Sequence, residues 1–295
     1  MTMIFGVPLP ALLGQLVLGL INGSFYAMLS LGLAIIFGLL NIINFAHGAL
    51  YMMGAFAAWM LLNYCGIGFW PALILAPLAV GLFGVVLERL FISRLYQLDH
   101  LYGLLLTFGL ALIIQGVFRN YYGVSGLPYA IPQQLAGPVN LGFMILPMYR
   151  GFVIVFSALI CLATWLIIEK TSLGAYLRAA TENPKLVEAF GINVPRLMML
   201  TYGFGVALAA LAGVLAAPIY SVNPNMGADI VIVVFAVVVI GGMGSILGSV
   251  VTGFGLGLIE GIVKIFYQQG SSIAVFVIMA IVLLVRPAGL FGRAP

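Results

Sequence analysis

The chain has 295 residues, 64% of them hydrophobic and 6% charged, with a mean hydropathy of +1.25 and a net charge of +4. A soluble globular domain carries about 25% charged residues, so so few charges cannot cover a surface in water, and a soluble fold is excluded. Apolar stretches long enough to cross hydrocarbon as helices recur along the whole length, while the alternating strands of an outer-membrane barrel are absent. The chain therefore reads as an all-α, polytopic helical membrane bundle of about 8–10 transmembrane helices, built as a single domain over 1–295.

The N-terminus, Met1 to Pro10, lacks the basic region and the cleavage site of a secretory signal and is read as retained. Candidate spans cover 11–39, 45–63, 69–91, 101–118, 151–169, 197–220, 228–242, 246–265 and 271–285. The first exceeds one straight crossing, so it either tilts or breaks near Asn22-Gly23. Between the first two spans lies NIINFAHGA, Asn41 to Ala49, in a stretch from Met1 to Leu87 that holds no Asp, Glu, Lys or Arg. Asn41, Asn44 and His47 follow one another at intervals of three, and in an unbroken helix they share a stripe with Tyr51. Gly48 also allows a helix break at the membrane edge. Polar side chains in hydrocarbon must face protein or water. Three readings therefore stand: an interfacial turn whose side chains bond freed backbone groups, hydrogen bonds between helices, or the lining or inner gate of a translocation path.

The segment 119–150, rich in Gly, Pro and Tyr, reads as an external cap with a short amphipathic piece in the interface, and Tyr121, Tyr122 and Tyr129 suit an aromatic belt. The segment 170–196 differs from the rest. From Glu169 to Arg196 it carries seven of the eighteen charged residues in the chain. The pattern there predicts one short helix from Leu173 to Thr181. A second, capped by Asn183 and started by Pro184, has Leu186, Val187 and Phe190 on an apolar face and Gly191 as its stop. Two readings stand: a solvated linker between spans, or, since a linker needs no amphipathic helix with a Gly stop, a docking surface for another protein.

Further on, Gly205, Ala209, Gly213 and Ala217 form one small-residue stripe, and Ser245, Ser249, Gly253, Gly257 and Gly261 form a longer one. Small residues mark helix contact faces in lipid, either within this chain or against a partner. Asp229 is placed to cap the seventh span. That span is short and ends at Gly241, Gly242 and Gly244, which can open a helix and expose carbonyls to a permeation route. Glu260 and Lys264 are spaced for an i,i+4 pair. Cys65 and Cys161 read as small buried hydrophobes. Catalytic residues and metal ligands are not expected: no paired carboxylates, metal-ligand spacing or nucleophile–base constellation appears.

The Lys and Arg positions orient the spans. With the loops 88–100 and 170–196 and the C-terminal tail in the cytoplasm, Arg89, Arg94, Lys170, Arg178, Lys185, Arg196, Arg286 and Arg293 lie inside. Arg119, Arg150 and Lys264 then lie outside, as does the N-terminus.

Three quoted stretches carry a family resemblance. RAATENPK followed by GIN (178–185 and 191–193) resembles the cytoplasmic coupling loop of bacterial ABC importer permeases. NIINFAHGALYMMGAF (41–56) and IGGMGSILGSVVTGFGLGLIE (240–260) are similar to further signatures of the branched-chain amino acid permease family of the LivH type, in the same order. Glu188-Ala189-Phe190-Gly191 departs from the usual Glu-Ala-Ala and Gly spacing. The resemblance implies a multi-pass permease of the bacterial inner membrane that imports branched-chain amino acids or a related small polar solute. It implies no ATPase site or cofactor in this chain, and no Walker A glycine-rich phosphate loop is present in the sequence. ATP and Mg would be bound by two cytoplasmic ATPase partners, alongside a second permease, identical or different, and a periplasmic solute-binding protein. Arg178, Glu182, Lys185, Glu188, Phe190 and Gly191 would then contact the ATPase. Asn41, Asn44, His47, Tyr51, Gly241, Gly242 and Gly244 are the candidates for the translocation path. The alternatives are a urea, amide or aromatic-acid importer permease of the same family and, from other classes, an ion-coupled carrier or a passive channel.

Overall fold

The computed structural model describes residues 3–4, 7–40, 42–96 and 99–292. Nine helices build the bundle in the described residues: α1 Leu9–Leu40, α2 Ala46–Cys65, α3 Phe69–Leu90, α4 His100–Tyr122, α5 Met148–Lys170, α8 Val194–Ala216, α9 Met226–Gly241, α10 Ile246–Phe266 and α11 Ser271–Val285. Two short helices, α6 Ser172–Glu182 and α7 Pro184–Ala189, lie between α5 and α8. Seven of the nine are long and apolar enough to cross a membrane, and α9 and α11 are shorter apolar helices. Two small antiparallel ribbons complete the fold, β1 Met3–Ile4 with β2 Val7–Pro8 and β3 Pro138–Asn140 with β4 Ile145–Pro147.

The first helix is continuous through Asn22-Gly23, so the break allowed by the sequence does not occur. Its 32 residues span about 48 Å at 1.5 Å per residue, which a tilted crossing accommodates. It is the most buried of the spans, and its most extensive contact is with α10. The seam between them is made of missing side chains. A Cβ added at Gly253 would sit 2.6 Å from the Ala27 Cα, one at Gly261 2.5 Å from the Gln15 carbonyl oxygen, and Gly19 meets Gly257 backbone to backbone. Ser30 Oγ donates to the Ser249 carbonyl at 3.2 Å within the same seam. The long stripe on α10 therefore faces inward, against a matching set on α1 at Gln15, Gly19, Gly23 and Ala27. The stripe on α8 is divided between two neighbours, Gly205 against Gly32 and Ile36 of α1 and Gly213 against Tyr51 and Ala55 of α2, while Gly203, off the stripe, meets Gly81 and Val85 of α3. Close backbone approach substitutes here for the hydrophobic effect, which lipid cannot supply between helices.

Helix directions separate the cations. Arg89, Arg94, Lys170, Arg178, Lys185, Arg196 and Arg286 fall at one end of the bundle and Arg119, Arg150 and Lys264 at the other, with Arg293 outside the described residues. The segment between α4 and α5, at the second end, is the β3–β4 ribbon and a single 3-10 turn, Gln133–Leu135. Tyr121 is exposed as a belt residue would be. Tyr129 instead is buried beside Phe69, and burial pushes its phenol up to about 12. Cys161 is buried as expected, whereas Cys65, at the end of α2, is exposed.

The seventh span is short because it starts deep. The connection from α8 to α9 folds into the bundle: Tyr220 Oη donates to Asn22 Oδ1 at 2.9 Å, its ring meets Phe25, and Gln115 Nε2 donates to Asn225 Oδ1 at 3.0 Å. Asn22 and Phe25 belong to the middle of α1. At its other end α9 closes in a tight hairpin with α10. Gly242 and Gly244 adopt φ of 99° and 88°, and Ser245 Oγ accepts from the Gly248 N–H at 3.1 Å to cap α10. The C-terminal tail covers this turn, with the Leu290 N–H donating to the Ile240 carbonyl at 2.8 Å.

Candidate functional site

The NIINFAHGA stretch is where α1 ends and α2 begins, and its polar groups are spent on joining helices. Asn44 and His47 are only 2% and 1% exposed. Asn44 Nδ2 donates to the Tyr202 hydroxyl of α8 at 3.1 Å, and His47 Nε2–H donates to the Leu29 carbonyl of α1 at 3.0 Å. A carbonyl can only accept, so the ring proton is on Nε2. The irregular backbone between the two helices is satisfied from α4: Thr107 Oγ1 donates to the Ile43 carbonyl at 3.0 Å and accepts from the Phe45 N–H at 3.1 Å. The interfacial turn and the interhelical hydrogen bonds thus coexist. Asn44 and His47 are buried among α1, α2 and α8, and Asn44 Oδ1 and His47 Nδ1 have no hydrogen-bond partner among the described residues. Asn41 lies outside the described residues. Gly241, Gly242 and Gly244 build the α9–α10 turn at the end that carries most of the cations, where Gly244 meets Gly38 and Gly242 meets Gly289 and Gly292. The helix does end at these glycines, and their contacts are packing contacts of the turn.

Tyr51, one turn beyond His47, has a different setting. It lines a cleft of about 380 Å³ together with Asn22, Phe25 and Tyr26 of α1, Tyr220 and Asn223 of the deep connection, and Met226, Asp229, Ile230 and Val233 of α9. Tyr51 is 2% exposed, and its hydroxyl has no hydrogen-bond partner among the described residues. Asp229 does not cap α9; it sits in the first turn, exposed toward the cleft, with no ion pair or side-chain hydrogen bond among the described residues. Behind the cleft, Glu260 is buried and fully engaged. Its Oε1 pairs with Lys264 Nζ at 2.6 Å and its Oε2 accepts from the Tyr26 hydroxyl at 2.8 Å. This pair fixes the Tyr26 phenol as one wall. The i,i+4 pair expected from the spacing forms, with Glu260 buried and Lys264 partly exposed.

At the cation-rich end, the segment 170–196 is ordered by its own polar residues. Asn183 Oδ1 accepts from the Leu186 N–H at 3.1 Å and caps α7, and Asn193 Oδ1 accepts from the Arg196 N–H at 3.0 Å and caps α8. Gly191, at φ 82°, turns the chain between them; a left-handed residue there costs glycine nothing. Val187 points inward to Ala180 and Val194, so the apolar face is split. Leu186 and Phe190 point outward, at 55% and 78% exposed, flanked by exposed Glu182, Lys185 and Glu188. Arg178 turns back to the bundle instead: its Nη1 donates to the Ile168 carbonyl at 3.2 Å and pairs with Glu169 at 3.4 Å. The two short helices are therefore braced on α5 through Arg178 and on α8 through Val187. Between this corner and the ends of α1 and α3 lies an open cavity of about 1040 Å³, with Glu88, Arg89, Tyr96 and Arg196 on its walls. Glu88 is held there by the Tyr96 hydroxyl at 2.7 Å.

Sequence reasoning named Tyr51, which lines the cleft, and the short helices of the corner, and did not name Asn22, Tyr26, Tyr220 or the opening of Asp229 into the cleft. A carboxylate inside a span and an Asn in the middle of a charge-free helix are signals that could have found two of them.

Residues 15–286 match the family model described as branched-chain amino acid transport system / permease component. The chain is similar to the high-affinity branched-chain amino acid transport system permease protein BraD of Pseudomonas aeruginosa, 32% identical over 95% of this chain and 96% of that protein. It is similar to the corresponding LivH of Escherichia coli, 29% identical over 95% and 96%. A probable LivH of Methanocaldococcus jannaschii is 28% identical over 92% of this chain and 90% of its own length. Continuous similarity over nearly the whole bundle, from α1 to the end of α11, places this chain in the branched-chain amino acid transport permease family.

Proposed function

We propose that this chain is the membrane-spanning permease subunit of an ATP-driven importer of the bacterial inner membrane, carrying branched-chain amino acids or a related small polar solute. Its partners are a second permease, identical or different, two cytoplasmic ATPases that bind ATP and Mg, and a periplasmic solute-binding protein. The observation that carries this reading is the corner α6–α7. It presents Leu186 and Phe190 to the outside among charged residues, at the end where most of the cations gather, which the positive-inside rule assigns to the cytoplasm. An exposed aromatic on a braced six-residue helix suits insertion into a groove of another protein. The names of the relatives, all permease proteins of branched-chain amino acid transport, support the substrate class.

The corner is also joined to the cleft. Displacing α7 bears on α8 through Val187 and Val194, and α8 contacts α1, α2 and α3. The far end of α8 leads directly into the connection that carries Tyr220 and Asn223. ATPase closure would thus reach the cleft along one helix.

The test exchanges charge and bulk at the corner. Reversing Lys185 and Glu188 together, or replacing Phe190→Asp or Gly191→Leu, should reduce co-purification of the ATPases and ATP-dependent uptake by about tenfold or more, the effect of losing a buried anchor. Insertion and yield of the permease should be unchanged. Wild-type uptake in all of these variants would refute the docking role.

A further inference from the structure

The cleft sets an unpaired carboxylate opposite unused hydrogen-bond donors. Among the described residues, Asp229 and the Tyr51 hydroxyl have no side-chain partner although Tyr51 is 2% exposed, and Asn22 spends its Oδ1 on Tyr220 while its amide N–H groups make no bond. The rest of the wall is apolar, from Phe25, Met226 and Val233. We propose that this cleft holds the zwitterionic backbone of a passing amino acid: Asp229 receives the α-ammonium, Tyr51 and Asn22 donate to the α-carboxylate, and the apolar wall meets the side chain. The assignment rests on the importer reading given above and names the contacts within it.

Depth supports it. Asn22 lies about 20 Å along α1 from Leu9 at 1.5 Å per residue, near the middle of that helix. A carboxylate opening sideways at such a level is costly against lipid, so it marks a pathway or a protein contact. Its place in the first turn of α9 is favoured by the helix dipole, which accounts for an acid at this position. The dipole gives no reason for a buried tyrosine on the neighbouring helix to keep its hydroxyl unused, whereas an arriving carboxylate does. The volume of about 380 Å³ falls within the range of small-molecule sites. One carboxylate and two neutral donors make a weak site, as a path requires if solute is to leave it. Glu260 could not serve, since Lys264 and Tyr26 occupy both of its oxygens.

The experiment uses the assembled importer in proteoliposomes, with its second permease, ATPases and solute-binding protein, ATP on the ATPase side and radiolabelled leucine as the probe. Asp229→Asn should lower leucine uptake about tenfold or more, Tyr51→Phe about threefold, and Asp229→Glu should stay close to wild type, as expected for loss or retention of a charge-assisted contact. Thermal unfolding of each complex in detergent separates a binding role from a structural one. Wild-type uptake by both Asp229→Asn and Tyr51→Phe would overturn the proposal, and so would a loss of uptake in Tyr51→Phe that merely follows a loss of folded complex. If Asp229→Asn does not assemble, Tyr51→Phe decides alone, because it removes only a hydroxyl without a protein partner. Failure of the wild-type complex to accumulate leucine defeats the importer reading itself, and the cleft assignment with it.

Discussion

Two polar regions lie one helical turn apart on α2 and have opposite characters. Around His47, Asn44 Nδ2, His47 Nε2 and Thr107 Oγ1 each bond a partner outside their own helix, and the two atoms left without one among the described residues, Asn44 Oδ1 and His47 Nδ1, are buried. Around Tyr51, the cleft leaves a carboxylate and a hydroxyl unmatched and open. The contrast shows that polarity in a membrane bundle serves two ends. Where a polar group meets a partner it fixes helix positions, and where an unpartnered group opens into a cleft it leaves chemistry for a visitor. The α6–α7 corner repeats the division on a smaller scale, with Arg178 and Val187 used to brace it and Phe190 left exposed.

This division predicts how variants separate. The largest effect comes from the seam that sets the spacing of all these groups: Gly257→Leu has no room against Gly19 and Gly23 and should abolish recovery of folded protein, read by monodispersity in detergent. In the closed region, His47→Ala removes the hydrogen bond to Leu29 and leaves a hole. It should cost about 1–3 kcal/mol of stability, seen as a lower unfolding midpoint, with uptake per folded complex nearly preserved. Tyr202→Phe takes away one interhelical hydrogen bond and should cost about 0.6–2 kcal/mol, again with transport retained. The smallest stability effect belongs to the cleft. Tyr51→Phe should shift stability by less than about 0.5 kcal/mol while lowering uptake. A destabilised Tyr51→Phe, or a His47→Ala that stays fully stable, would erase the distinction between the two regions.

Much of this architecture was legible in the sequence, because hydrophobic length and small-residue spacing are written locally. The span limits, the Asn183 cap, the Gly191 turn and the stripe from Ser245 to Gly261 all follow from short-range rules. What a stripe faces is not local information. Gly19, Gly23 and Ala27 of α1 are the partners of Gly257 and Gly253, and their own four-residue spacing becomes informative only once both helices are considered together. The same limit applies to polar groups. Asn44, His47 and Tyr51 share a stripe by spacing, yet α8 and α1 close over the first two, while the deep entry of the chain before α9 opens the third. That entry rests on Tyr220 meeting Asn22, a contact 198 residues apart in sequence, and no periodicity announces it. Leu186, Val187 and Phe190 likewise form one apolar group in sequence, and the corner divides them by turning Val187 inward.

The central claim is that this chain moves solute only when driven through its corner by separate ATPases. Radiolabelled leucine accumulation in proteoliposomes tests it most directly, with the permease pair and solute-binding protein present and the ATPase subunits either included or omitted. Accumulation that requires the ATPases together with ATP is the predicted result. Accumulation against a gradient by the permeases without ATPases would contradict the account.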